Sequence, residues 1–180
     1  MIERKHREES LGQKGLVIWF TGLSGAGKST IASALEEALY AKGRKAYILD
    51  GDVLRRGINK DLGLSPEDRS ENIRRASEIA ALFADAGLIC ICAFISPYNE
   101  DRIAARKVAG DNFLEIFVKC TLEECRRRDP KGLYARFDRG EFVGMTGIDA
   151  PYEAPTYPDL IVDTDKSDVA SCVEKILAKI

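Results

Sequence analysis

The chain has 180 residues, 27 Lys plus Arg against 29 Asp plus Glu, a net charge of −2, and 45% hydrophobic content. That composition is of a soluble, globular protein long enough to bury a core without staples, and its balanced charge excludes bulk electrostatic binding to DNA or RNA while leaving room for a local anion site. The one histidine, His6, lies in a polar stretch, which argues against Ser-His-Asp or Cys-His catalysis and excludes a His-rich metal site.

Residues 1–14 are charged and unpatterned, and read as an extension or a short helix outside the core. MIERKHREES is too charged for a secretory leader, and no apolar run approaches the ~18 residues that cross a bilayer. The five cysteines (Cys90, Cys92, Cys120, Cys125 and Cys172) therefore read as reduced thiols in a cytoplasmic protein. GLVIWF (15–20) is a continuous apolar run, as in a strand buried on both faces. Ile31, Ala34, Leu35, Ala38 and Leu39 then follow helical spacing, with Gly43 as the stop. KAYILD (45–50) is a second strand, and the glycines of residues 51–66 make that stretch loop-like. A helix is expected from Ser65-Pro66 to near Gly87, with Pro in its first turn. LICICAFI (88–95) is a third strand that sets Cys90 and Cys92 side by side on one face. A helix over 99–109, a strand FLEIFVKC (113–120) and a short helix over 121–128 follow. Residues 129–158 hold four of the six prolines among basic residues, and read as a mobile, functional segment. LIVDT (160–164) and an amphipathic helix through Val169, Val173, Ile176, Leu177 and Ile180 close the chain.

Strands and helices alternate, and the strands are apolar throughout. Both features predict an α/β fold: a mainly parallel five-stranded sheet with helices on both faces and ligands at the carboxyl ends of its strands.

Gly22-Leu-Ser-Gly-Ala-Gly-Lys28-Ser29-Thr30 matches G-x-x-x-x-G-K-[ST] between a predicted strand and a predicted helix. Glycines let backbone N–H groups turn inward around phosphate oxygens, and the helix N-terminus adds partial positive charge. Lys28 reaches the β- and γ-phosphates and the Ser29 hydroxyl suits Mg²⁺. The third strand ends without an acid, so the metal needs another carboxylate, and Asp50-Gly51-Asp52 is nearest in pattern. Those carboxylates are expected to face the phosphate loop from an adjacent strand end, where either binds the metal through water or takes a hydroxyl proton. The bland alternative is a solvated D-G turn.

Basic residues crowd the same end of the expected sheet: Arg55, Arg56, Arg69, Arg74, Arg75, Arg126 to Arg128, Lys131, Arg136 and Arg139. They suggest an anionic second substrate, for which Arg supplies bidentate contacts, against the alternative of a solvated, salt-bridged surface. A Gly/Pro-rich basic lid would exclude water from phosphoryl transfer.

Six further stretches are similar to one family: GQKG (12–15), LDGDVLRRGINKDLGLSPEDRSENIRR (49–75), LFADAG (82–87), ISPYNEDR (95–102), RDPKGLY (128–134) and TGIDAPYEAP (146–155), beside the phosphate loop itself. Together they resemble adenylylsulfate kinases over residues 12 to about 175. The resemblance implies a three-layer P-loop kinase fold, with 1–14 as an N-terminal extension, one domain over 15–180 and a lid of about 129–155. It implies transfer of the ATP γ-phosphate to the 3′-hydroxyl of adenosine 5′-phosphosulfate (APS), with Mg²⁺, in sulfate activation and assimilation. The implied catalytic set is Lys28, Asp50, Asp52 and Ser96, with metal at Ser29 and Asp50. ATP would contact Gly22, Ser24, Gly25, Ala26, Gly27, Lys28, Ser29, Thr30 and Arg128, with Thr164 to Ser167 at its adenine. The acceptor would contact Asp52, Arg55, Leu64, Arg69, Asn72, Ile95, Ser96, Lys131, Met145 and Thr146. Leu64 and Met145 stand where the family usually carries phenylalanine. A phosphoserine at Ser96 is not needed for in-line transfer. The resemblance also implies a homodimer, with no nucleic-acid or membrane partner, and association with an ATP sulfurylase. Two other readings stay open: a related P-loop kinase for another anionic nucleotide, and a non-catalytic nucleotide-binding regulatory module.

Overall fold

A computed structural model describes all 180 residues. Its elements in chain order are α1 (Arg4–Leu11), β1 (Leu16–Thr21), α2 (Lys28–Ala41), β2 (Ala46–Asp50), α3 (Gly51–Arg56), α4 (Pro66–Asp85) and β3 (Ile89–Ala93). There follow α5 (Asn99–Ala109), β4 (Phe113–Lys119), α6 (Leu122–Arg128), α7 (Leu133–Asp138), β5 (Leu160–Asp163) and α8 (Val169–Leu177). The five strands form one sheet in the order β2-β3-β1-β4-β5, and every pairing is parallel. No helix is long and apolar enough to cross a membrane.

Alternation along the central strands splits the core into two layers. Ile18 and Phe20 of β1, with Ile89 and Ile91 of β3, face α2 and α8 through Ile31, Leu35 and Ile176. Val17 and Trp19, with Cys90 and Cys92, face α4 and α5 through Ile73, Ala76, Ala80 and Ala105. Both faces are covered, which is why the strands read as unbroken apolar runs. Each fully buried aliphatic or aromatic side chain here contributes ~1.5–3 kcal/mol of transfer free energy. The Cys90 and Cys92 sulfurs lie side by side at 3.7 Å, buried and unoxidised.

Three expectations need correction. Residues 51–56 are not loop but α3, because the Asp50 side chain accepts the Asp52 N–H and caps a helix too short for periodicity to reveal. Within 129–158, residues 133–138 form α7, which Asp129 holds by accepting from the Tyr134 and Ala135 N–H groups. And β2 does not neighbour β1: β3 lies between them. The α4 start is as expected, with Ser65 accepting from the Asp68 N–H and Pro66 in the first turn.

Helix α1 buries none of its own residues. It is tied to the body by Arg7, which donates to the Asp85 carboxylate at 2.6 Å, and by Arg4, which donates to the Gly15 carbonyl at 2.6 Å.

Candidate active site

The carboxyl ends of β1, β2 and β3 open into one cavity of about 760 Å³. Its floor is the turn between β1 and α2. Gly22 is packed so closely that a Cβ would stand 2.5 Å from the Val118 carbonyl oxygen. Gly25 has φ +80°, and a Cβ there would meet the Cys125 carbonyl at 2.9 Å, so backbone must take the place of side chain. Two distant residues hold this turn: Tyr134 of α7 donates its hydroxyl to the Ser24 carbonyl at 2.9 Å, and Thr164 donates to the Ala26 carbonyl at 3.0 Å.

Lys28 points into the turn and donates to the Gly22 and Leu23 carbonyls at 2.8 and 2.7 Å. Burial lowers its pKa to about 8, since the ammonium has left water without gaining a carboxylate. The Ser29 hydroxyl donates to Asp50 Oδ2 at 3.0 Å, while Asp50 Oδ1 accepts the Asp52 N–H at 2.8 Å. One carboxylate thus caps α3 and reaches α2 across the intervening strand. A hydroxyl beside a carboxylate is a hard-oxygen donor set, and no cluster of three or more acidic, His or Cys side chains is present. Such a sparse set fits Mg²⁺, which keeps waters and phosphate oxygens as most of its ligands.

The opposite wall comes from α3, α4 and the residues between them. Arg55 donates to the Leu62 and Gly63 carbonyls at 3.3 and 2.8 Å. Arg69 donates to the Leu64 carbonyl at 2.9 Å, the Thr146 hydroxyl at 2.6 Å and the Gly144 carbonyl at 2.6 Å. Neither guanidinium forms a direct ion pair with a carboxylate; Asp68 and Asp52 act on Arg55 only from a distance. Burial, with Arg69 beside it, lowers the Arg55 pKa. Lys131 reaches across the cavity mouth to pair with Asp52. Ser96 lies under the mouth, 1% exposed, with φ +40°. Its hydroxyl accepts the Trp19 indole N–H at 3.1 Å.

A family model for adenylylsulphate kinase matches residues 14–163. An adenylyl-sulfate kinase of Clostridium acetobutylicum is 56% identical over 176 residues, which is 98% of this chain and 88% of that one. The Mycobacterium tuberculosis APS kinase, solved with AMPPNP and APS, superposes with a TM-score of 0.88 at 48% identity, covering 92% of this chain and 97% of that one. A hexameric APS kinase from Thiobacillus denitrificans gives a TM-score of 0.70 at 34% identity, over 96% of this chain and 29% of that one. The chain belongs to the adenylylsulfate kinase family.

Most of the residues singled out in the sequence line this one cavity: Ser24, Gly25, Gly27, Lys28, Ser29 and Thr30 on the floor, and Asp50, Asp52, Arg55, Leu64, Arg69 and Asn72 on the acceptor side. Ile95, Ser96, Arg128, Lys131, Thr164 and Ser167 complete the set. Gly22 and Ala26 shape the turn from beneath and do not line the cavity. Nor do Met145 and Thr146. Met145 is 5% exposed and packs in the core layer of α2 and α8, while Thr146 is buried against Arg69.

The basic cluster divides. Arg74, Arg75, Arg126, Arg127, Arg136 and Arg139 all pair with surface carboxylates of Glu71, Asp61, Asp138, Glu124 and Glu141, and none lines the cavity. For these the solvated-surface reading is right. Arg128 pairs with Glu124 at 2.8 Å but also donates to the Thr164 carbonyl at 2.7 Å and stays on the cavity wall.

Sequence reasoning missed Val169 and Cys172, which line the cavity from the first turns of α8. Their apolar spacing signalled core and nothing more. It also missed Tyr134 and Arg102, whose partners lie far off in sequence.

Proposed function

We propose that this protein transfers the γ-phosphate of ATP to the 3′-hydroxyl of adenosine 5′-phosphosulfate, giving ADP and 3′-phosphoadenylyl sulfate. One observation carries the reading: a single cavity joins a phosphate loop to two guanidiniums, Arg55 and Arg69, that make no direct ion pair with a carboxylate. A γ-phosphate donor fits the loop, and an anionic acceptor fits the arginines.

In this reading Lys28 leaves the Gly22 and Leu23 carbonyls for the β,γ-phosphate oxygens, and the loop N–H groups hold the remaining charge. Ser29, with Asp50 through water, would hold Mg²⁺, which neutralises phosphate charge when bound with ATP. Asp52 orients the acceptor 3′-hydroxyl and takes its proton. The new O–P bond forms as the bond from Pγ to the ADP oxygen breaks. Asp52 suits this role better than Asp50, whose two oxygens are engaged by Ser29 and the α3 cap. Lys131 stands beside Asp52 and follows the charge onto the transferring phosphoryl group. Arg55, Arg69 and Asn72 bind the phosphosulfate and ribose. Leu64, half-exposed at the rim, offers an aliphatic face to the acceptor base.

Residues 129–155 act as the lid that excludes water. Asp52 and Lys131 at one foot, and Arg69 with Gly144 and Thr146 further along, support its closing over both substrates. The hexameric relative supports self-association, read here as a homodimer. The cysteine usage supports a cytoplasmic enzyme, and the family supports a place in sulfate assimilation, working beside an ATP sulfurylase.

The test is coupled ADP release from purified protein with Mg-ATP, comparing APS, 5′-AMP, CDP and no acceptor. APS-dependent release, with 3′-phosphoadenylyl sulfate identified by mass, is expected. Stimulation by another nucleotide but not APS would move the reading to a different anionic acceptor. ATP binding with no stimulated release by any acceptor would make the protein a nucleotide-binding module.

A further inference from the structure

Ser96 occupies a conformation that non-glycine residues rarely adopt, with φ +40°. Such a residue costs ~1–3 kcal/mol and persists only where its surroundings over-determine it. The surroundings here converge on one side chain. Arg102 of α5, its side chain 1% exposed, donates to the Ser96 carbonyl at 2.5 Å. Its second terminal nitrogen donates to the Glu153 carbonyl at 2.6 Å and to the Asn99 side chain. Its Nε donates to Glu115 on β4 at 2.9 Å. The fork therefore joins three segments far apart in sequence: the strained corner after β3, the C-terminal foot of the 129–155 segment, and the sheet.

The joint is reinforced around that fork. The Glu153 N–H donates to the Pro97 carbonyl at 2.8 Å, and the Glu153 carboxylate accepts the Asn99 N–H at 2.7 Å. The Tyr152 and Thr21 hydroxyls meet at 3.1 Å, and Thr21 also donates to the Ile95 carbonyl at 2.7 Å. A buried guanidinium of this kind needs a counter-charge. Glu115 supplies it, and the outer pair Arg106 and Asp159, at 2.5 Å, leaves the group neutral overall.

A plain structural ion pair would need only Glu115. Aiming two further nitrogens at carbonyls of Ser96 and Glu153 sets the positions of those two backbones relative to each other, and a lysine ammonium could not hold all of these partners at once. We propose that Arg102 is a positioning residue: it fixes the Ser96 corner against the lid's C-terminal foot, so that the acceptor side of the cavity and the lid are set as one unit. Its link to the acceptor rests on the function proposed above. Its link to the lid does not.

The experiment compares Arg102→Lys with Arg106→Gln, which disturbs the same charge group but touches neither Ser96 nor Glu153. Limited trypsin digestion of the ligand-free protein reads the lid directly, through cleavage after Arg136 and Arg139. In Arg102→Lys we expect that cleavage to rise at least 5-fold, and the KM for APS to rise at least 10-fold with the KM for ATP within 2-fold. Arg106→Gln should leave all three near wild type. Should Arg102→Lys not fold, Tyr152→Phe, which removes only the hydroxyl bond to Thr21, must show the same pattern at smaller size. Unchanged lid cleavage, or APS and ATP KM values that move together, would overturn the proposal. Faster lid cleavage in a protein whose wild type shows no APS-dependent turnover would instead overturn the proposed acceptor and leave the positioning role standing.

Discussion

The two halves of the cavity are built in opposite ways. The nucleotide half comes from one contiguous stretch, residues 22–30, whose groups satisfy one another at close range. Lys28 bonds the carbonyls of its own turn, and Asp50, Tyr134 and Thr164 come from elsewhere only to brace it. The acceptor half has no such stretch. Arg55, Arg69 and Ser96 come from α3, α4 and the corner after β3, and Arg69 closes it by reaching 75 residues along the chain to Gly144. A contiguous motif tells where phosphate goes, because adjacent backbone N–H groups are the ligand. An assembled site tells what the acceptor is only through which cations the fold leaves unpaired.

Asp50 and Asp52 offer the sharpest break between the halves, since they are two residues apart yet bonded to Ser29 and Lys131 respectively. Asp52→Asn should lower kcat about 10²-fold or more, the range of a lost general base, with the KM for ATP near wild type. Asp50→Asn keeps a cap for α3 and should instead raise the KM for Mg-ATP about 10-fold, as for a lost outer metal partner. Near-wild-type kcat in both variants would dismiss the acids from the reaction.

A smaller effect separates unpaired from paired arginines. Arg69→Gln should raise the KM for APS about 10- to 100-fold, from losing charge-assisted bonds of ~1.5–3 kcal/mol. Arg74→Gln, whose partner is the exposed Glu71 at 2.7 Å, should change it by less than about 2-fold. Equal effects would mean that arginine density rather than pairing governs the acceptor side.

The smallest expected signal is a proton. Lys28 has a pKa of about 8 in the ligand-free fold because burial disfavours its charge, below the 10.5 of a free lysine. The unfolded chain therefore binds more protons than the fold between those values, so this group weakens the empty fold below pH 8 and the penalty fades as the pH rises toward 10.5. Phosphates entering the loop supply the missing counter-charge and raise the pKa. Binding ATP at pH 8 should thus take up roughly half a proton, read by calorimetry in HEPES and Tris, and affinity should fall as the pH climbs above 8. Lys28→Met should abolish the uptake. Zero uptake in the wild type would show that Lys28 is already charged in the empty loop.

Much of the molecule was legible beforehand for identifiable reasons. Strands buried on both faces carry unbroken apolar runs, α4 carries a Ser-Pro start, and the glycines at 22, 25 and 27 mark the turn that only backbone fits. The short helices were not, because α3 and α7 have six residues each and depend on a single cap or on Asp129 rather than on a repeating pattern. Sequence alone determined the layered α/β plan, the phosphate loop and the family, since each rests on local backbone requirements or on motifs in register. Tertiary structure alone decided which of the clustered arginines stay unpaired, that Met145 turns into the core while Leu64 faces the cavity, and that Arg102 binds Ser96 to the lid. Pairing and burial depend on neighbours tens of residues away, and no local pattern in the chain encodes them.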